Sequence, residues 1–191
     1  MAYSLVAGVD EVGRGCIAGP VVAAAVILNP DCEISGLTDS KKLTAKRRTY
    51  LAGQIKTKAL CWSVGRAEAS EIDRINILQA SLLAMVRALS GLDITPEWVM
   101  VDGSYYPPVL IPGETVIKGD LLIPCISAAS ILAKVARDNE MSFIHGIYPG
   151  YHFDSHKGYP TKKHLEHIQT LGLLPIHRRS FAPVKQVLAI S

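Results

Sequence analysis

The chain has 191 residues, which is long enough for one domain with a substantial core and short for two. Apolar residues make up 49% and charged residues 19%, a balance that suits a folded soluble protein and excludes an intrinsically disordered one. The longest apolar stretch, residues 21–28, is too short to cross a bilayer, and the amino terminus lacks the basic segment of a signal peptide. The four cysteines form no C-x-x-C pair, so we expect reduced thiols in a cytoplasmic protein.

The formal net charge of +3 is unevenly distributed along the chain. Seven Lys or Arg and no acid lie within residues 41–58, and six Lys or Arg against a single acid, Glu166, lie within residues 156–191. Solvated helix faces account for most runs of this kind, and surfaces that face phosphate backbones also produce them. Composition leaves both interpretations open.

The amino-terminal half begins with two apolar stretches, residues 5–10 and 21–28, which predict two strands joined by a tight, glycine-rich connection. Thr44 is placed to cap a basic helix that runs to about Lys58. Residues 59–67 predict a third strand. These elements place strands at both ends of the first basic segment.

An amphipathic helix follows, for which Ser70 and Asp73 predict a capping box and Gly91 predicts the end. The strand at residues 97–103 is reached through this helix and is therefore expected to run parallel to a neighbour. The remaining predicted elements are a strand at 116–120 and helices at 126–138, from about Thr161, and from Pro183. We expect one α/β domain over residues 1–191, with a helical carboxy-terminal segment from about residue 161.

Carboxylates stand at the ends of three predicted strands. The segments AGVDE, VMVDG and VIKGD deliver Asp10, Asp102 and Asp120, with Glu11 beside the first. Because open α/β sheets bind ligands at the carboxyl ends of their strands, we expect these acids to converge. Adjacent residues of a regular strand point to opposite faces, so Asp10 and Glu11 share a site only if the strand ends or twists there, as the glycines that follow permit. A single acid at a strand end is ordinarily a solvated turn residue, and three parallel occurrences weaken that interpretation.

Four carboxylates at one edge of a sheet repel one another unless a cation neutralises them. Ligation by oxygen alone suits Mg²⁺ or Mn²⁺ rather than zinc or copper. Two such ions, about 3.5–4 Å apart, form the clamp that is used for in-line cleavage of phosphodiesters. Arg14, which stands between two glycines, suits a loop whose backbone N–H groups bind an anion beside the metals.

Taken in order, the motifs of this sequence resemble those of bacterial ribonuclease HII, the type 2 ribonuclease H, over about residues 6–185. The motifs are GVDEVGRG, AGPVVAAAVIL, DSKKLT, VDG, KGD, ISAASILAKVARD, HKGYPTKKH and HRRSFAPVK. Many separated motifs coincide, so the resemblance is more specific than one short pattern. It implies a ribonuclease H-like fold: a mixed sheet of about five strands flanked by helices, with a helical carboxy-terminal part.

The resemblance also implies roles for particular residues. The metal-binding acids of the family correspond to Asp10, Glu11, Asp102 and Asp120. The family's Gly-Arg-Gly loop, which contacts the ribonucleotide 2′-OH and the flanking phosphates in relatives, corresponds to Gly13, Arg14 and Gly15. The tyrosine that packs against the nucleotide at the RNA–DNA junction corresponds to Tyr159. A loop of amides and an aromatic ring can sense one hydroxyl group without reading a base.

The activity implied is endonucleolytic hydrolysis on the 5′ side of a ribonucleotide, leaving 3′-OH and 5′-phosphate ends. The implied substrates are single ribonucleotides embedded in duplex DNA and RNA in RNA–DNA hybrids, as in ribonucleotide and RNA primer removal. Two other classes stay open: another two-metal nuclease of this fold that cuts DNA, and a non-catalytic hybrid-binding protein. The complete set of acids argues against the binding protein, and Tyr159 with the Gly-Arg-Gly loop argues against the DNA nuclease.

Polar and basic residues beside these motifs are expected to touch phosphates, since such contacts position nucleic acid without specifying its sequence. The residues are Ser40, Lys41, Lys42, Lys157, Lys162 and Lys163, and we expect the same of Arg178 and Arg179. Taken singly, a lysine or arginine of this kind outside the motif is more often an ordinary solvated residue. No aromatic clamp-binding peptide follows the helical segment, so a sliding-clamp partner is not expected. We expect a monomer that binds RNA–DNA hybrid and ribonucleotide-containing duplex and no membrane.

Overall fold

The structure, a computed structural model, describes residues 4–190, with side chains described to residue 187. Residues 1–3 and 191 of the predicted domain lie outside this range. The chain forms one mixed sheet of five strands in the order β3-β2-β1-β4-β5. The strands are β1 (Val6–Val12), β2 (Val21–Ile27), β3 (Cys61–Ala67), β4 (Trp98–Asp102) and β5 (Gly113–Val116). The predicted mixed five-stranded sheet is confirmed.

Seven α-helices accompany the sheet within the described residues. They are α1 (Ala45–Lys58), α2 (Ala69–Ser90), α3 (Gly119–Leu122), α4 (Pro124–Ile147), α5 (Phe153–His156), α6 (Lys162–Leu171) and α7 (Ala182–Ile190). Short 3-10 turns lie at Ser40–Lys42 and Pro149–Tyr151. Among the described residues, no helix is both long and apolar enough to span a bilayer.

The pairing of β1 decides where the edge residues meet. β1 is antiparallel to β2, with Asp10 opposite Ala24, and parallel to β4, with Val9 opposite Val101. The expectation that β4 runs parallel to a neighbour is therefore confirmed. Because two neighbouring parallel strands end at the same edge, Asp10 and Asp102 are brought side by side.

Both faces of the sheet are covered, which is why β2 is apolar along its whole length. Alternate residues of β2 belong to two cores. Val21, Ala23, Ala25 and Ile27 pack with α2 residues such as Ile72 and Ala84, whereas Ala24 and Val26 pack with residues of α1 and α4. Helix α4 lies very close to the central strand: a Cβ added at Gly8 would stand 2.1 Å from the Cys125 carbonyl carbon. Only glycine permits that approach.

The carboxy-terminal helices are attached to the sheet through the β1–β2 connection. Ile17 packs with Ile168 of α6 and Val184 of α7. Its neighbour Ala18 packs in a second cluster with Met141, Tyr151 and Phe153 and forms an isolated bridge with His177. The connection that leaves the central strand is thus buried between the sheet and the carboxy-terminal helices.

The predicted helix caps have mixed outcomes. Thr44 accepts a hydrogen bond from the Arg47 N–H, and Gly91 ends α2, as predicted. The capping box of α2 was predicted two residues too late, since Glu68 is its N-cap and the Glu68 N–H donates to the Glu71 carboxylate at 2.9 Å. Asp73 instead accepts hydrogen bonds from the backbone N–H groups of residues 179 and 180, which fastens α2 to the carboxy-terminal segment.

The predicted strand at residues 116–120 is wrong beyond its first residue. β5 ends at Val116 because its partner β4 ends at Asp102, and no further ladder is available. Lys118 then adopts a left-handed conformation with φ of 58°, and the chain turns into α3. Asp120 consequently lies in the first turn of a short helix and not on a strand.

Two buried histidines make the stability of the carboxy-terminal part depend on pH. Burial lowers the pKa of His164 to about 3 and that of His177 to about 4, from an ordinary value of 6.5. Below pH 6.5 the unfolded chain therefore takes up protons that the folded chain does not, and the free energy of unfolding falls as pH falls. At pH 5 the loss is about 2 kcal/mol for each group.

We expect His177→Asn to remove the contribution of one histidine to the pH dependence of the unfolding free energy. Urea unfolding at pH 7.5 and pH 5.0 should show a drop in unfolding free energy that is about 2 kcal/mol smaller in the variant than in the wild type. The comparison cancels the titrating groups that do not contact His177. Equal drops in the two proteins would contradict a neutral His177 in the fold.

Candidate metal centre and nucleic-acid interface

Three of the predicted acids converge at the carboxyl edge of β1 and β4. Asp10 lies within β1, Asp102 is the last residue of β4, and Asp120 lies in α3. One carboxylate oxygen from each lies within 4.8 Å of the others. This is the geometry that a cation with oxygen ligands requires, and carboxylates are the ligands that Mg²⁺ and Mn²⁺ prefer.

Asp10 is the most buried of the three, with 7% of its surface exposed. Burial, then the negative charges of Glu11 and Asp102, raise its pKa well above the ordinary value, although a hydrogen bond from the Ser130 side chain opposes the shift. The Glu11 N–H also donates to Asp10 Oδ1 at 2.7 Å. A buried carboxylate in this surrounding is stabilised by a bound cation, because the cation offsets both the burial and the repulsion.

Glu11 lies outside the group of three. β1 continues in regular pairing through Val12, so Glu11 points to the opposite face of the strand from Asp10. Its Oε1 accepts a hydrogen bond from Arg14 at 3.1 Å, and it lines a shallow groove together with Asp102. Burial raises the pKa of Glu11, the Arg14 charge lowers it and the Asp102 charge raises it. Asp102 therefore stands between the two acids of β1, within electrostatic reach of both.

Asp120 has an acidic neighbour that the sequence did not single out. Burial, then the charges of Asp102 and Asp39, raise the pKa of Asp120, and the positive charge of Lys41 lowers it. The Ser127 hydroxyl donates to the Asp120 carbonyl at 2.7 Å, which ties α3 to the start of α4. Asp39 precedes a 3-10 turn and does not end a strand, so the pattern of acids at strand ends does not include it.

The Gly-Arg-Gly loop opens the β1–β2 connection. Gly13 has a φ of 94°, and a Cβ there would stand 2.3 Å from Arg137 Nε, so neither its conformation nor its surroundings accept a side chain. Arg137 is fully buried and donates to the carbonyls of Ala18 and Pro20, both at 3.1 Å. The buried guanidinium group of Arg137 therefore packs against the loop and supports its conformation.

A second buried arginine braces the same loop and corrects a prediction. Arg178 was expected to touch phosphate, but its side chain is fully buried, and burial lowers its pKa to about 10. It donates to the Arg14 carbonyl at 2.9 Å and to the Gly19 carbonyl at 3.0 Å. Its neighbour Arg179 is exposed, as a phosphate contact requires.

Tyr159 lies beside this loop although it is far away in sequence. Burial raises the pKa of Tyr159, and the neighbouring Cys16 side chain raises it further. The Ile17 N–H donates to the Gly158 carbonyl at 2.9 Å, which joins the two segments directly. The ring keeps 39% of its surface exposed. The structure thus brings together the Gly-Arg-Gly loop and the tyrosine that the sequence analysis paired.

The predicted phosphate contacts differ in their positions. Lys41 and Lys42 are exposed, and the Lys41 charge acts on both Asp120 and Tyr159. Lys157 is half-buried, and its ammonium group donates to the Ser142 hydroxyl at 2.7 Å. Ser40 was expected at a phosphate, but it is buried and its hydroxyl lies 3.0 Å from the Ser130 hydroxyl. The Ser40 hydroxyl is therefore bound inside the fold, beside Ser130, and not at the surface.

Comparison with known proteins identifies the group to which these features belong. The chain matches the ribonuclease HII family over residues 7–184. Ribonuclease HII of Nitrosococcus oceani is 58% identical over 183 residues, which cover 96% of this chain and 91% of that protein. Ribonuclease H2 from Pyrococcus horikoshii OT3 superposes with a TM-score of 0.81 at 29% identity, over 97% of this chain and 98% of that one. Ribonuclease HII of Archaeoglobus fulgidus, solved in complex with PCNA, gives a TM-score of 0.69 at 25% identity, over 91% and 93%. The expected ribonuclease H-like fold is confirmed.

Proposed function

The chain belongs to the ribonuclease HII family and is a metal-dependent ribonuclease H endonuclease that binds RNA–DNA hybrids, and we propose the finer features of its activity. It hydrolyses the phosphodiester on the 5′ side of a ribonucleotide and leaves 3′-OH and 5′-phosphate ends. Its substrates are RNA in RNA–DNA hybrids and single ribonucleotides in duplex DNA. The observation that carries this proposal is the convergence of Asp10, Asp102 and Asp120 near the Gly-Arg-Gly loop and Tyr159.

Asp10, Asp102 and Asp120 hold Mg²⁺ or Mn²⁺ in this proposal, with Glu11 as a further ligand on the other side of Asp102. Bound ions of this kind activate water and stabilise the charge on the transferring phosphate. Contacts within the chain position these ligands. The Glu11 N–H donates to Asp10, and the Ser127 hydroxyl ties the Asp120 backbone to the start of α4.

Recognition of the ribonucleotide is assigned to the loop and the tyrosine. The loop, Gly13 to Gly15, presents backbone N–H groups to the 2′-OH and the adjacent phosphates, and the half-exposed ring of Tyr159 packs against the sugar. The two segments are joined by the hydrogen bond from the Ile17 N–H to the Gly158 carbonyl, so that they face one nucleotide together. The 2′-OH is the group that separates RNA from DNA at a single position.

Phosphates of the duplex lie along the exposed basic residues. Lys41 and Lys42 stand beside the acids, and Arg179 lies at the carboxy-terminal side. Lys157 reaches a phosphate once its ammonium group leaves Ser142. These contacts set affinity and its salt dependence rather than specificity. We also propose that the protein acts in the cytoplasm as a monomer.

A duplex that carries one ribonucleotide, beside an all-DNA duplex of the same sequence, tests the proposal. We expect metal-dependent cleavage on the 5′ side of the ribonucleotide alone, in Mg²⁺ or Mn²⁺, and none without a divalent ion. Equal cleavage of the all-DNA duplex would place the chain among DNA nucleases of this fold. Binding of the hybrid without cleavage in either metal would favour a binding protein.

Tyr159→Ala is expected to weaken the preference for ribonucleotide over plain DNA. The variant removes the ring and the hydroxyl beside Cys16. We therefore expect the kcat/KM for the single-ribonucleotide duplex to fall by about tenfold or more. The rate of background cleavage of the all-DNA duplex should change little. Matched duplexes that differ by one 2′-OH measure the ratio. Tyr50→Ala, which removes a similarly exposed tyrosine from α1, is the control and should leave the ratio unchanged. An unchanged ratio in Tyr159→Ala would remove this residue from the recognition site.

A further inference from the structure

We propose that His164 is a positioning residue for Tyr159: its Nδ1–H group holds the Tyr159 backbone carbonyl and thereby sets where the ring meets the ribonucleotide. The inference rests on the proposed function, in which Tyr159 contacts that nucleotide. His164 lies in the first turns of α6, is fully buried and does not reach the acids of the metal centre. It therefore acts through Tyr159 and not on the reacting atoms.

A chain of hydrogen bonds decides where the protons of the two buried histidines lie. The Leu174 N–H donates to His177 Nδ1 at 2.8 Å, so the His177 proton is on Nε2. His177 Nε2 lies 3.2 Å from His164 Nε2, which must then accept. The His164 proton is therefore on Nδ1, where the Tyr159 carbonyl accepts it at 2.9 Å. Burial keeps both rings neutral, since it lowers the pKa of each. One tautomer of each ring satisfies the three hydrogen bonds of this series, and with that assignment the longer 3.3 Å approach of the Leu174 carbonyl to His177 Nδ1 is not a hydrogen bond.

A third histidine holds the same segment from the other side. The Gly158 N–H donates to His156 Nδ1 at 3.1 Å, and His156 Nε2 donates to the Tyr151 carbonyl at 2.7 Å. The rings of His156 and His164 stack, with centroids 4.2 Å apart and planes 15° apart. The N–H of Gly158 and the carbonyl of Tyr159 are thus both bound to one stacked pair of rings.

The segment requires such anchoring because its own conformation is not regular. Lys157 and Gly158 both have positive φ values, 50° and 84°, between the end of α5 and the start of α6. Arg137 fixes the Lys157 carbonyl at 2.8 Å, which leaves the Tyr159 carbonyl as the last anchor before Pro160. The Thr161 N–H also donates to the Tyr159 carbonyl, at 2.8 Å, but this bond joins near neighbours within one turn, whereas the His164 bond ties the carbonyl to a fully buried side chain.

Two substitutions at His164 separate its two hydrogen bonds. The side-chain amide of Asn places a donor near the position of Nδ1, whereas that of Gln places its polar group near Nε2. His164→Asn therefore keeps the bond to Tyr159 and loses the bond to His177, and His164→Gln does the reverse. Asn is the smaller residue and leaves the larger cavity, so His164→Asn is expected to be the less stable protein.

We expect the activity of each variant on the ribonucleotide to depend on whether the bond to the Tyr159 carbonyl is kept, and not on the stability of the variant. On the single-ribonucleotide duplex we expect His164→Gln to lose about fivefold to tenfold in kcat/KM, while His164→Asn retains most of the wild-type value. Both are assayed with their folded fraction measured at the same temperature. Equal losses in the two variants, losses that track stability, or no loss in either would overturn the proposal.

A double-mutant cycle with Tyr159→Ala gives the second readout. If His164 acts through the ring, His164→Gln should cost nothing further once the ring is absent, whereas a general structural defect would add its full loss in both backgrounds. An additive result overturns the proposal. Failure of the proposed function is distinguishable, because the wild type itself would then show no preference for the ribonucleotide.

Discussion

Asp10→Asn is expected to lower cleavage of a ribonucleotide-containing duplex by at least about a thousandfold while hybrid binding stays measurable. The substitution keeps the shape of the side chain and removes the charge at the most buried of the three converging acids. A neutral amide is a poor ligand for Mg²⁺ or Mn²⁺, so the metal-dependent step loses its ligand without loss of the nucleic-acid surface. Single-turnover cleavage and fluorescence anisotropy with labelled hybrid measure the two quantities.

The same variant gives a second, independent prediction, which concerns the thermal stability of the metal-free protein. Burial and neighbouring acids raise the pKa of Asp10, so the ionised carboxylate is costly in the metal-free fold. We therefore expect Asp10→Asn to unfold at a higher temperature than the wild type in EDTA and to gain less from added Mg²⁺. Asp31→Asn, at an exposed acid, is the control for the loss of one charge. Retained turnover in Asp10→Asn would contradict the metal assignment.

Arg137→Met is expected to destabilise the fold by about 3 kcal/mol or more, which for a chain of this size lowers the melting temperature by roughly 10 °C. The guanidinium group donates to the carbonyls of Ala18, Pro20 and Lys157, and Met satisfies none of them. Those acceptors belong to the β1–β2 connection and to the segment that carries Tyr159. The loss should therefore also reduce cleavage at temperatures where the variant is folded.

Arg179→Met is the matched control for this effect. Its side chain is exposed, and the segment is fastened to Asp73 through the backbone N–H, which the substitution leaves in place. We expect its unfolding free energy to stay within about 0.5 kcal/mol of the wild type. Similar losses of stability in the two variants, measured by urea unfolding, would contradict the bracing role of Arg137.

The parts of the site that follow from strand periodicity were predictable. An apolar run ending in an acid locates Asp10 and Asp102 at one edge of the sheet, because a strand reached through a helix runs parallel to its neighbour. Asp120 was correctly predicted to lie near these two acids, but it was predicted at the end of a strand, which is wrong. It arrives on α3 after a left-handed turn at Lys118, which no periodicity signals.

The buried polar residues mark where sequence reasoning stops. Arg178 and Arg179 are adjacent and chemically identical, yet one is buried under the Gly-Arg-Gly loop and the other is exposed. Ser40 and Lys41 differ in the same way. Which of two neighbours is buried depends on long-range packing of the β1–β2 connection against the carboxy-terminal helices, and a local pattern contains no information on it. The prediction of the α2 capping box was wrong for a similar reason, since Glu68 and Glu71 have the same spacing in the sequence as Ser70 and Asp73.

The acids of the metal centre stand on supports of very different rigidity. Asp10 belongs to the central strand, which is paired with β2 on one side and β4 on the other, and such a strand opens only at high free energy. Asp120 belongs to a four-residue turn of helix at the edge, which can open locally at much lower free energy. One carboxylate is thus a fixed reference point and another can adjust. Ions of slightly different radius, and a phosphate whose geometry changes during reaction, can be followed by a small movement of α3 while the strand that carries Asp10 remains still.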